Sequence, residues 1–117
     1  MADSVLRLKS KEFAKDIVFF CRRLRQNGIE GSLINQLLRA GTSVGANIHE
    51  AQYAQGTKDF ISKLEIALKE CNESEYWLEL LYETASVTED DFKTFKVQCI
   101  EIRRMLVASV TTMKEKS

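Results

Sequence analysis

Proline is absent from all 117 residues, and glycine occurs only five times. A chain without proline can interrupt a helix only at its glycines and polar turns. Long helices joined by short connectors are therefore expected, and the apolar spacing agrees. Phe13, Ile17, Phe20, Cys21 and Leu24 recur at intervals of three and four, the mark of one buried stripe. They predict a first helix over about residues 11–26, with Ser10 as N-cap and Asn27-Gly28 as its stop. Residues 3–9 extend that helix or pack as an arm.

A second helix is expected over about residues 32–55, after a connector at 28–31. Its stripe is Ile34, Leu37, Leu38, Gly41, Val44, Gly45, Ile48 and Ala51. A third is expected over about 58–83, with Thr57 as N-cap and Asp59 near the positive end of the helix dipole. Its apolar residues fall on two faces. Phe60, Leu64, Ala67, Leu68, Cys71, Leu78 and Leu81 form one; Ile61, Trp77 and Leu80 belong to the other, with Tyr76 at its margin. A helix apolar on two sides needs more than one neighbour, and a second subunit can supply one. The fourth is expected over about 89–113, opened by a capping-box-like Thr88-Glu89-Asp90-Asp91. Phe92, Phe95, Cys99, Ile102, Leu106, Ser109 or Val110, and Met113 line it, and residues 114–117 are read as a frayed tail. Short connectors imply antiparallel neighbours. The chain is therefore read as all-α: one domain over residues 1–117, an up-down-up-down antiparallel four-helix bundle.

The stretch RAGTSVGANIHEA, at 39–51, places two glycines inside the second helix. Each costs a helix roughly 1 kcal/mol relative to alanine. A neighbouring helix passing close over Gly41 and Gly45 would offset this through dispersion contacts. A local break there is the alternative. If helices two and three turn near residue 56, Arg39 faces Glu73, Thr42 faces Glu70, Asn47 faces Glu65, and Glu50 faces Ser62 or Lys63. Arg39, Ser43, Asn47, Glu50, Glu70 and Glu73 thus make a polar seam. Its ion pairs fix the hairpin register, or it forms a small polar site.

Net charge is zero but unevenly spread: +4 over residues 1–27, −1 over 28–56, −4 over 57–86 and +1 over 87–117. The opposed quarters either attract inside the fold or form two faces of opposite sign. Arg22, Arg23 and Arg25 cluster at the end of the first helix, and Lys93, Lys96, Arg103 and Arg104 lie on the fourth. In a bundle these helices are neighbours, so the seven could form a phosphate-contacting patch or an ordinary solvated face. Cys21, Cys71 and Cys99 fall on apolar stripes, as buried reduced thiols do. One histidine and no finger-type spacing argue against a metal site. There is no catalytic constellation, Walker loop or GxGxxG, so no catalytic residue, cofactor or small-molecule substrate is assigned. No apolar run reaches the roughly 18 residues that span a bilayer, and no secretory h-region is seen. The cytoplasm is the default expectation.

Residues 36–81, QLLRAGTSVGANIHEAQYAQGTKDFISKLEIALKECNESEYWLELL, carry a specific pattern. With KEFA at 11–14 and TEDDF at 88–92, nearly the whole chain resembles the bacterial four-helix bundle family first named for proteins encoded in intervening sequences of the 23S rRNA gene. The family motif matches here at Arg39, Ser43, Asn47, Glu50, Glu70, Glu75, Tyr76 and Trp77. The resemblance implies an up-down bundle that assembles as a homo-oligomer, in some relatives a pentameric ring. Most of that family has no established activity. A related branch, the accessory variability determinant of diversity-generating retroelements, binds a reverse transcriptase and nucleic acid through a basic surface. That branch is strongly basic, whereas this chain is neutral. The expectation is a non-enzymatic homo-oligomeric bundle acting as an RNA- or nucleoprotein-binding accessory factor. The alternative is a protein-binding scaffold with no nucleic-acid role.

Overall fold

The computed structural model describes residues 2–116, with side chains from Ser4 onward. Met1 and Ser117, the ends of the expected 1–117 domain, lie outside the described residues. Those described form four helices, with no strand among them: α1 (Ala2–Gln26), α2 (Gly31–Ala51), α3 (Thr57–Glu83) and α4 (Glu89–Lys116). The molecule is elongated, 47 × 21 × 19 Å.

One core runs the length of the molecule and draws on all four helices. Phe13, Ile17, Phe20 and Leu24 of α1 meet Ile34, Leu37, Val44 and Ile48 of α2 and Leu64, Leu78 and Leu81 of α3. Phe95, Ile102 and Leu106 of α4 complete it. Burial of each such side chain stabilises the fold by about 1.5–3 kcal/mol. Phe95 packs on Phe20 at 4.6 Å and edge-on to Phe13 at 6.4 Å, which ties α4 to α1.

The boundaries depart from expectation at three ends. α1 starts at Ala2, ahead of the expected Lys11: residues 3–9 extend the helix and do not pack as an arm, because Leu6 and Ser10 continue its buried stripe one turn after another. Ser10 is no N-cap: it is buried mid-helix and donates its hydroxyl to the Arg7 carbonyl at 3.1 Å. α2 stops at Ala51, its last buried residue, and not at Gln55. The Gln55 N–H is then taken by the Asp59 carboxylate at 3.2 Å, and Gly56, not Thr57, is the N-cap of α3. α4 continues to Lys116, and Lys114 lies 2.9 Å from Glu65 in place of a frayed tail. The fourth helix opens as expected: Thr88 Oγ1 accepts the Asp91 N–H at 3.1 Å. Val110, not Ser109, completes its buried stripe.

α2 is continuous through Gly41 and Gly45. A Cβ on Gly41 would lie 3.0 Å from Ile17, and one on Gly45 would lie 3.2 Å from the Ser10 carbonyl oxygen. The close neighbour is α1, and at Gly45 it is main chain, which cannot swing aside.

α1 and α3 end alike. Gly28 (φ +77°) closes α1 with Ile29 N–H donating to Leu24 and Gly28 N–H to Arg25, a Schellman motif. α3 ends with Ser86 N–H to Leu81 and Ala85 N–H to Tyr82, but with alanine at φ +59°. Tyr82, stacked on Phe92 at 4.5 Å, closes this turn over α4.

The three cysteines are buried and unbridged. Cys21 donates to the Ile34 carbonyl at 3.8 Å, and burial pushes its thiol up to about 11. Cys71 donates to the Cys99 carbonyl at 3.4 Å. Its contact with Cys99, reinforced by burial, keeps the Cys99 thiol protonated.

Three substitutions check the helix contacts and ends. Gly45→Leu should lower unfolding stability in urea by about 1–3 kcal/mol. Gly31→Ala, in open space, should be neutral or gain up to about 1 kcal/mol. Equal midpoints for the two variants would remove the close approach from the account. Ala85→Gly relieves a left-handed alanine, so a gain of about 1 kcal/mol, or about 4 °C in Tm, is expected in thermal melts. A fall in Tm would contradict it.

Candidate nucleic-acid interface and polar seam

The seam forms where α2 meets α3. Arg39 reaches across to Glu70, at 3.2 and 3.3 Å from its two oxygens, and to Glu73. Glu73 also accepts the Trp77 indole N–H at 3.3 Å. Eleven residues further along α2, Glu50 pairs with Lys63 at 3.4 Å. Numbers therefore fall along α3 as they rise along α2. The other polar residues turn back on their own helix. Thr42 donates to the Leu38 carbonyl at 2.7 Å, and Asn47 donates to the Ser43 carbonyl at 2.8 Å. Glu65, expected opposite Asn47, pairs with Lys114 of α4.

A second seam, unforeseen in the sequence, joins α3 to α4. Arg103 donates to Glu75 at 2.5 Å and to Asn72 at 3.4 Å. It is less exposed than the Arg39 pair, and its hydrogen bond to Glu75 holds the guanidinium pKa above its usual range. The signal was available: Glu75 and Arg103 sit at matching heights if α3 and α4 turn near residue 88.

The expected basic patch is divided by these pairings. Arg23 is bound to Asp91 at 3.4 Å, Lys93 to Glu89 at 3.7 Å, Lys96 to Glu79 at 3.8 Å, and Arg103 to Glu75. Lys96 also lies over the Phe92 ring. Arg22 stacks on Phe19, Arg25 donates to Asn35 at 2.7 Å, and Arg104 is exposed with no ion-pair partner among the described residues. So carboxylates neutralise four of the seven cations, and Arg22, Arg25 and Arg104 keep a free charge.

The charge of the two opposed quarters does not cancel by contact. α1 packs on α2 and α4, and α3 packs on α2 and α4, while α1 and α3 face each other only through side chains of the core. The basic and acidic helices are diagonal, which makes two faces of opposite sign. Between α1 and α2 lies an open groove of about 930 Å³, with Arg7, Lys11 and Ala14 on one wall and Thr42, Ala46 and His49 on the other. Among the described residues no group of three or more His, Cys, Asp or Glu could hold a metal ion, and no helix is long and apolar enough to cross a membrane.

A sequence model described as "23S rRNA-intervening sequence protein" matches residues 3–108. The chain belongs to this family. A solved structure from the S23 ribosomal protein family of Bacteroides thetaiotaomicron, described as a protein with unknown function, is 45% identical. It covers 95% of this chain and 99% of its own, with a TM-score of 0.92. A comparison with curated proteins gave no match. Within the family motif, Arg39, Glu70 and Glu75 are ion-paired across helices and Trp77 is hydrogen-bonded to Glu73. Arg39, Glu70 and Glu75 thus hold one helix to another, while the Trp77 bond lies within α3.

Arg39→Met leaves two carboxylates facing each other without a cation. It should cost about 1 kcal/mol in thermal melts, and less in high salt. Lys93→Met, an exposed pair within one helix, should cost at most about 0.5 kcal/mol. Equal losses would argue that the seam contributes no register energy.

Proposed function

We propose that this chain is a non-enzymatic, self-associating RNA- or nucleoprotein-binding accessory factor, built as an up-down-up-down antiparallel bundle. The observation that carries the reading is the separation of charge. Zero net charge is divided between a cation-rich α1 and an acid-rich α3 that lie diagonally across the core from each other. A basic face can contact phosphates whatever the total charge, because the field is local at physiological salt. Homo-oligomer formation fits the exposed apolar side chains, among them Leu8, Phe19, Tyr76 and Val97, each more than half exposed. Five subunits is the number that the family resemblance suggests, and repetition would multiply a weak patch by avidity. Three buried, unbridged thiols accord with a reducing compartment such as the cytoplasm.

A protein-binding scaffold is the second reading. The same apolar side chains favour it, as does the neutralisation of four of the seven expected cations.

The test is binding of the native protein to a labelled RNA across a salt series, with native mass measured in the same buffers. Near physiological salt, log affinity should fall with log salt by about 0.7–0.9 per phosphate contact, and the mass should be a multiple of 13.4 kDa. An intact oligomer that fails to bind at low salt transfers the reading to the scaffold. A monomer at micromolar concentration removes self-association.

A further inference from the structure

The cations of α1 lie on two separate sides of the helix. At about 100° per residue, Arg7, Lys11, Lys15, Arg22 and Arg25 fall within an arc of about 80°. Lys9, Glu12, Asp16 and Arg23 lie about 140–200° from Arg7. The second set faces α4 and is neutralised there: Lys9 by Glu101 at 2.8 Å and Arg23 by Asp91, while Asp16 accepts from Gln98. The first set borders α2. Arg7 and Lys11 line the α1–α2 groove, and Arg25 donates to Asn35 of α2. All five are exposed, and among the described residues only Lys15 has a carboxylate partner, Glu12 on its own helix at 3.3 Å.

The facing wall adds no free anion. Thr42, Ala46 and His49 are uncharged or able to donate, and Glu50, the one acid lining the groove among the described residues, is held by Lys63. The floor is low because Gly45 carries no side chain. A ridge of cations about 27 Å long thus runs along α1, and the open trough borders its N-terminal part, at Arg7 and Lys11. An exposed aromatic stands near each end. Tyr53, 75% exposed, packs on His49 beside the Arg7 end, and Phe19, 58% exposed, lies under Arg22.

We infer that the α1–α2 groove is a track for single-stranded RNA, with phosphates on Arg7, Lys11, Arg22 and Arg25 and bases stacked on Tyr53. This rests on the RNA reading above but moves the contact surface away from α4. Sequence-tolerant single-strand binders combine a cationic line with exposed aromatic rings. A duplex offers phosphates but keeps its bases stacked inside, so Tyr53 has nothing to stack on. The unpaired cations set the occupant's charge, and the aromatic ring selects a nucleic acid over an acidic helix.

The experiment is salt-dependent binding of a labelled single-stranded RNA to four proteins: wild type, R7Q/K11Q, the charge-matched K93Q/K96Q, and Y53A. R7Q/K11Q should lower the salt slope by about 1.4, and K93Q/K96Q should leave it unchanged. Y53A should weaken single-strand binding with the slope intact and leave binding of the matching duplex unaffected. The altered residues are exposed, and circular dichroism melts confirm that each variant is folded. Equal slopes for the two double variants, with wild type binding, overturn the track and leave the RNA reading standing. Wild type that fails to bind any RNA at low salt ends both. Poly-glutamate binding lost in R7Q/K11Q, without RNA binding, would make the groove an acidic-protein dock and overturn the track.

Discussion

The Ser10 carbonyl oxygen lies 3.2 Å from where a Cβ on Gly45 would stand, and much of the molecule depends on that distance. It sets how near α1 runs to α2. Ile17 can then fill the space over Gly41, and Phe13 and Phe20 reach past it to Phe95 on α4. Two glycines forgo about 2 kcal/mol of helix propensity. The dispersion contacts of an apposed helix compensate because the approach is continuous over a full turn. The same absence of side chains leaves the trough between α1 and α2 shallow and open.

Energetic roles divide by depth. The core supplies the stability, since each buried Leu, Ile or Phe counts for more than a surface ion pair of about 0–1 kcal/mol. The ion pairs act on register. Arg39 with Glu70 and Glu73, Glu50 with Lys63, and Arg103 with Glu75 connect positions that a slip of one turn would separate. The acids of α3 are thereby committed to α2 and α4. Among the described residues only the Glu12–Lys15 pair lies over the outer side of α1, and the other cations there remain available.

The sequence made the four helices legible because proline is absent and the stripes keep one period. It also made the Arg39 seam legible, since a hairpin turning near residue 56 leaves little choice of register. Two kinds of feature were hidden. Helix ends are set by which residue is last to be buried: Leu6 extends α1 beyond any cap signal, and Ala51 ends α2 although Gln52–Gln55 look helix-compatible. Cation pairing is set by helix rotation. Arg22 and Arg23 are adjacent in sequence, yet they point about 100° apart, one free and one on Asp91. A cluster counted along the chain cannot separate them; only the neighbours of each face can.

Neutral net charge is a weak argument against a nucleic-acid face in a molecule of this shape. Charges interact over a Debye length of about 8 Å at physiological ionic strength. The bundle is 19–21 Å across, and α3 is diagonal to α1. Across that width the outward acids of α3 are separated from the outer cations of α1 by about two screening lengths, and several are already paired. A phosphate approaching α1 experiences the ridge and the few charges beside it, not the sum over the chain. At low salt the screening length grows to about 30 Å at 0.01 M, and the acidic face enters the balance. The two faces therefore oppose each other most where simple phosphate binding is strongest. The salt dependence of a bundle polarised in this way should be shallower at the dilute end than its count of contacts alone implies.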